Sequence, residues 1–196
     1  MGSPAYLIDP SKADLSRGAA IAIGLGSIAV VLVIYEALIR SPLADKGKAF
    51  ALILFGILVL VDWGLFQVFS GRGAYIHVGA IIGTIMVANV FLGIMPSQRA
   101  LVASVRAGEE ANEKVARLAT LAKLRSTHNN YLTLPVVLLM VSFHYPVLFG
   151  GGAERGWVVI ALILLIGGVV RHFFNSQHAG LTGRALLWQW PTAALL

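Results

Sequence analysis

Cysteine is absent from the 196 residues, so no disulfide, no thiolate metal site and no C-x-x-C-H attachment of a c-type haem can form. Charge is scarce as well: Asp, Glu, Lys and Arg make up 12% of the chain, about half the ~25% usual in a soluble domain. There is no phosphate-binding G-x-x-x-x-G-K-[ST], no G-x-S-x-G and no H-E-x-x-H, so nucleotide-driven and hydrolytic chemistry has no motif to rest on. What fills the space is hydrocarbon, 58% of residues being hydrophobic. The formal net charge of +6 sits between the apolar runs, where membrane topology accounts for it, and gives no reason to expect nucleic acid.

Runs of about 20 apolar residues suffice to cross a hydrocarbon core of roughly 30 Å as helices, and continuous runs exclude a barrel. The expected fold is all-α, a polytopic transmembrane helical bundle forming a single membrane domain over 1–196. Spans are predicted at about 19–39, 49–69, 75–95, 131–149 and 157–174, preceded by a loop-like lead, "LIDPSKADLSRG". Between the third and fourth lies a charged amphipathic segment, 97–126, with Val115, Leu118, Leu121 and Leu124 at helical spacing; it reads either as a solvated connector or as a docking surface. The last residues, 186–196, look like the opening of a partial span, and "MGSP" at the start like a cloning scar on a fragment. Lys and Arg crowd one side (Arg40, Lys46, Arg99, Lys114 and Arg117 among them), against Lys12, Arg17, Arg72 and Arg155 on the other. That bias places the long loop in the cytoplasm and the amino terminus outside, with the lipid bilayer as first partner.

On this topology the five histidines sort by depth. His77 and His144 fall near the outer face, while His128, His172 and His178 fall near the inner one. Two such layers would suit haem b held by imidazole pairs from facing helices, His77 and His144 being the iron ligands and His172 a further cofactor contact. The bland alternative is a histidine at the headgroup level. In the fourth span Thr133, Val137, Met140 and His144 share a sector, with Asn130 at its edge, and are read as its polar-tipped inward face. If that helix starts near Thr133, just before Pro135, "HNNY" is an irregular lead-in. Asp62, Gln67 and Asn89 are further intramembrane polar groups, and Asp62 is expected to meet a donor from the outer layer. Glu36 and Arg40 read as a local ion pair, and "GAIIG", 79–83, as close helix packing.

Three blocks, "GRGAYIHVGAIIGTIMVANVFLGIMPSQR", "RSTHNNYLTLPVVLLMVSFHYP" and "RHFFNSQHAG", taken in this order, resemble the bacterial membrane-bound urate oxidase (urate hydroxylase) family. Its members join a multi-span membrane domain to a carboxy-terminal cytochrome c domain. The resemblance covers nearly the whole chain, although the first spans, the rest of the last span and the cytochrome domain have no counterpart in it. Phe143 stands where an asparagine often precedes the histidine of "HYP". The resemblance implies urate oxidation in the bacterial inner membrane, with electrons delivered to a periplasmic cytochrome c.

The leading expectation is therefore the membrane core of a urate-oxidising oxidoreductase. Urate would bind on the inner side among Arg99, His128, Asn129, Asn130, Arg171 and His172, amides answering the purine edges and arginine the anion. Asp62, Asn89, Thr133, Tyr145 and His178 are supporting candidates. Two other readings stand beside it: a quinol-linked haem b electron-transfer subunit without urate activity, and a non-catalytic scaffold. Each would engage a cytochrome c domain or protein, or a further membrane subunit or a second copy.

Overall fold

The structure, a computed structural model, describes residues 7–108, 113–145, 147–150, 155–180 and 188–195; the "MGSP" start lies outside them. It is helical, as the apolar runs require. Helix α1 (Arg17–Ile39) opens at Ser16, whose hydroxyl accepts from the Ala19 N–H at 3.1 Å, satisfying one of the four orphan donors of a helix start. A 3₁₀ turn (Pro42–Asp45) leads to α2 (Gly47–Val68). Ser70 caps α3 (Gly71–Ala88) by accepting from the Gly73 N–H at 3.0 Å. The lead that reads as loop is pinned over this α2–α3 corner: the Ser70 N–H donates to the Leu7 carbonyl, and Lys12 donates to the Phe66 carbonyl at 2.8 Å.

The third span does not stop at Pro96. It passes through a π-helical turn (Asn89–Ile94) into α4 (Met95–Arg106). Proline has no N–H for the carbonyl four residues back, and the wider π turn lies immediately before that break in the ladder. After the α4–α5 turn, α5 (Glu113–Val141) runs unbroken through Pro135. The amphipathic segment and the fourth span are thus not separate: 97–126 forms parts of two helices, α4 and α5, that pack on one another. Nor does the fourth span reach 149. Helix α5 ends at Val141, a 3₁₀ turn covers Ser142–His144, and the four-residue α6 (Val147–Gly150) follows. "HNNY" is regular helix, because α5 is nucleated well upstream in the charged segment and has no need to begin near the proline. Pro135 itself is seated on Gly167 of α7 (Gly156–His178), where any β-carbon would meet its ring at 2.7 Å. The seven-residue α8 (Gln189–Leu195) packs on α7.

Among the described residues, four helices are long and apolar enough to cross a membrane: α1, α2, the α3–α4 run and α7. Their large apolar side chains point outward as well as inward, with Leu25, Val33, Leu52 and Leu60 at 65% exposure or more, as expected where lipid is the solvent. Buried α3 is the hub, touching α1, α2 and α5, and α7 closes the bundle against α2 and α5. The close α3–α5 contact uses Gly79, where an added β-carbon would meet Leu139 and Met140, so "GAIIG" is packing.

The inward face of α5 is not the sector Thr133, Val137, Met140 and His144. Val137 and Met140 are about half exposed and His144 is exposed. The stripe that faces the bundle is Val115, Leu118, Ala122, Arg125, Asn129, Leu132, Val136 and Leu139, a strict three-four alternation of the kind that keeps one seam against its neighbours. Thr133 instead bonds its own backbone, its hydroxyl donating to the Asn129 carbonyl at 2.8 Å.

Candidate functional site

Two polar positions in the α5 stripe, Arg125 and Asn129, carry a buried network at the end of the bundle where α1 finishes. Arg125 is 1% exposed, and its guanidinium takes the Glu36 carboxylate with both ends, Nη1 to Oε1 at 2.5 Å and Nη2 to Oε2 at 2.8 Å. Such a bidentate pair is the strongest form available to these groups. Glu36 also keeps the i to i+4 pair with Arg40, at 3.1 Å. Arg125 Nη1 further donates to Asn89 Oδ1 at 3.0 Å; Asn89 Nδ2 donates to the Tyr35 hydroxyl at 2.9 Å and to Asn129 Oδ1 at 2.8 Å. Asn129 Nδ2 donates to the Met86 carbonyl at 3.0 Å, and the Tyr35 hydroxyl lies 2.9 Å from His128 Nδ1. The π turn makes this possible, since Arg125 crosses it at Gly93, where a β-carbon would run into the Arg125 Cδ. The His128 ring stacks on Phe50 with centroids 4.5 Å apart.

The opposite side of α5 is open. A cavity of about 640 Å³ lies between α4, α5 and α7, lined by Gln98, Lys123, Ser126, Thr127, Asn130, Tyr131 and Asn175 with Ile94, Ala119, Ala122 and Ala179. That volume is in the range of small-molecule sites, roughly 300–1,000 Å³. The Asn130 Oδ1 is buried here without a hydrogen-bond partner among the described residues. At the cavity's rim the Tyr131 hydroxyl is 2.7 Å from His172 Nδ1, and Arg171 Nε donates to the Asn130 carbonyl at 3.1 Å. Trp188 stands beside His172, with centroids 6.2 Å apart.

The structure therefore divides the expected inner site. Asn130 lines the cavity, Arg171 and His172 lie outside its lining and bond the Asn130 carbonyl and the Tyr131 hydroxyl beside it, and His128 and Asn129 belong to the buried network with Asn89. Consecutive helical residues are turned by about 100°, so His128 and Asn130 face opposite helices. Arg99 is exposed on α4 outside the cavity lining, and His178 is exposed in the last turn of α7. Towards the opposite end of the bundle, His77 Nδ1 bonds the Gly73 carbonyl at 2.7 Å, its ring stacks on Phe69 at 4.6 Å, and Nε2 faces Gly24 so closely that no β-carbon would fit there. His144 and Tyr145 are exposed at the end of α5. Asp62 is fully buried, yet neither carboxylate oxygen finds a hydrogen-bond partner among the described residues, which corrects the expectation of a donor from the outer layer. It lies on the i, i+4 row Phe50, Leu54, Leu58, Asp62 and Phe66, and position on that row alone turns it inward. Among the described residues no three His, Asp or Glu side chains gather as a metal set.

Reasoning from sequence missed Arg125, Tyr35, Phe50, Lys123 and Tyr131. Arg125 carried a signal, being in three-four register with Val115, Leu118, Ala122 and Leu132; a charge on an otherwise apolar seam marks a buried pair. Lys123 and Tyr131 carried none, since only the approach of α4 and α7 turns their faces into a cavity wall.

No curated protein and no solved structure matches the chain. A protein-family model does, the one described as urate oxidase N-terminal, and its match runs over residues 1–196, taking in the buried network, the cavity, His77 and His144 alike. The chain belongs to the urate oxidase N-terminal family.

Proposed function

We propose that the cavity between α4, α5 and α7 binds urate, and that the chain is the membrane part of a urate-oxidising oxidoreductase that hands electrons to cytochrome c. The observation that carries this is the cavity's lining. Urate at neutral pH is a flat monoanion edged by alternating N–H donors and carbonyl acceptors. Gln98, Asn130 and Asn175 supply both kinds of partner, Ser126 and Thr127 supply hydroxyls, and Lys123 supplies the positive charge. Family membership supplies the substrate class, and the bias of Lys and Arg supports an inner-membrane protein with this cavity on the cytoplasmic side and the amino terminus in the periplasm. Oxidation removes two electrons and two protons as water adds to the ring, and two one-electron cytochrome acceptors take the electrons.

The test is urate titration onto the purified protein, with Lys123→Ala and Asn130→Leu beside it. Each substitution should weaken binding about tenfold or more, the loss of one charge-assisted or one buried hydrogen bond. Binding that survives both unchanged would place urate elsewhere.

A haem b on His77 and His144 fits this arrangement poorly. An iron ligand must present a free nitrogen to open space, whereas His77 spends Nδ1 on a carbonyl and turns Nε2 into the α1 backbone. No electron step is routed through these residues. A Soret band in the purified protein that disappears in His144→Ala would restore the pair as ligands.

A further inference from the structure

We infer that Tyr131 and His172 form the proton-transfer pair of the cavity, an inference that rests on reading the cavity as the urate site. Tyr131 is the lining residue with a path outward. Its ring borders the cavity while its hydroxyl reaches His172 Nδ1 at 2.7 Å, within the short range for an O–H donor. His172 is exposed on α7 six positions before its last residue, His178, at the end of the span where the headgroups give way to water. The pair is held by a neighbouring rung, since Arg171 donates to the Asn130 carbonyl one position away on each helix. Two adjacent cross-links, 130 to 171 and 131 to 172, fix the register of α5 against α7 at the cavity's edge. The remaining polar lining groups are hydroxyls, amides and a lysine, and hydroxyls and amides do not take a proton at neutral pH. Imidazole is the side chain suited to accept and release one there.

The step itself is a relay. An N–H bond of the bound purine breaks as its proton joins the Tyr131 oxygen, while the phenolic proton passes to His172 Nδ1. The purine gains one negative charge and the imidazole one positive charge, which makes the ring easier to oxidise and leaves the proton where water can remove it. Tyr131 is then the catalytic residue, touching the substrate, and His172 acts through it.

A purely structural hydrogen bond between α5 and α7 predicts something different, and the two are separated by measuring binding and turnover together. In membranes carrying the protein, urate-dependent reduction of added cytochrome c is followed against pH for the wild type, Tyr131→Phe and His172→Gln, alongside urate affinity and thermal midpoint. The glutamine keeps an acceptor for the tyrosine hydroxyl but takes no proton. His172→Gln should bind urate within about threefold of the wild type, Tyr131→Phe should bind it about tenfold more weakly for the hydrogen bond it loses, and both should lose about 10²-fold or more in turnover and the acid limb of the pH profile. Turnover within a fewfold of wild type in the folded His172→Gln protein, or an unchanged acid limb, overturns the pair while leaving the urate site standing. A wild type that neither binds urate nor reduces cytochrome c in its presence overturns the urate site, and the pair with it.

Discussion

Two acidic residues lie inside the bundle, and they could hardly be placed more differently. Glu36, on α1, is met by Arg125 with two bonds, and behind that pair Asn89, Tyr35, Asn129 and His128 pass hydrogen bonds from one to the next. Asp62, on α2, is the more deeply buried of the two and has no hydrogen-bond partner among the described residues. Glu36 belongs to an assembly whose members need one another: remove one and the rest are left desolvated without compensation. Among the described residues Asp62 is answered by packing alone, so there it ties no helices together and adds a desolvation cost to the fold. Burial in a membrane helix is thus no measure of structural importance; the count of partners is.

The sharpest way to break this contrast is at Arg125. Replacing it with methionine leaves the Glu36 carboxylate with only the exposed Arg40 and leaves Asn89 Oδ1 with only the Tyr35 hydroxyl, a loss expected at about 3–5 kcal/mol and read as a fall in unfolding midpoint in detergent. Adding Glu36→Leu to that variant should recover much of the loss, because the uncompensated charge goes with it; a double variant no better than the single would mean that the network is not held by this pair. The opposite outcome is expected at Asp62. Its replacement by leucine should leave stability unchanged or raise it by about 1 kcal/mol, and a clear fall would show that the carboxyl is bonded in the membrane after all.

How much of this was legible beforehand depends on the residue. Helices α1 and α2 match the predicted spans to within two residues, because an uninterrupted apolar run bounded by charge admits one reading. Helix α5 was the hard case. Half of it is charged and half apolar, and Pro135 sits where a helix start would be natural, so local pattern favours two elements where the chain makes one. The proline is accommodated because Gly167 on α7 makes room for its ring, a fact about a segment 32 positions further on. The Glu36–Arg40 pair was visible at i to i+4 spacing, but the stronger claim on Glu36 comes from Arg125, 89 positions away. In the candidate site, Arg99, His128, Asn129, Asn130, Arg171 and His172 were grouped by depth and by residue types that suit a purine anion. The structure turns His128 and Asn129 into the buried network and Asn130 to the cavity, a division that depth alone does not give.

Composition by itself determined the class of this protein. Without cysteine, with little charge and with long apolar runs, the chain has one physical option, helices in lipid, and its ordered blocks of sequence were enough to place it in its family. The tertiary structure alone decided which way each polar residue of those helices faces. A helix turns each residue about 100° from the last, which sorts "HNNY" into four directions but does not say which direction holds what. The π turn at Gly93 admits Arg125 and sets the network on one side of α5; the approach of α4 and α7 leaves the cavity on the other. Four consecutive residues therefore serve two separate sites.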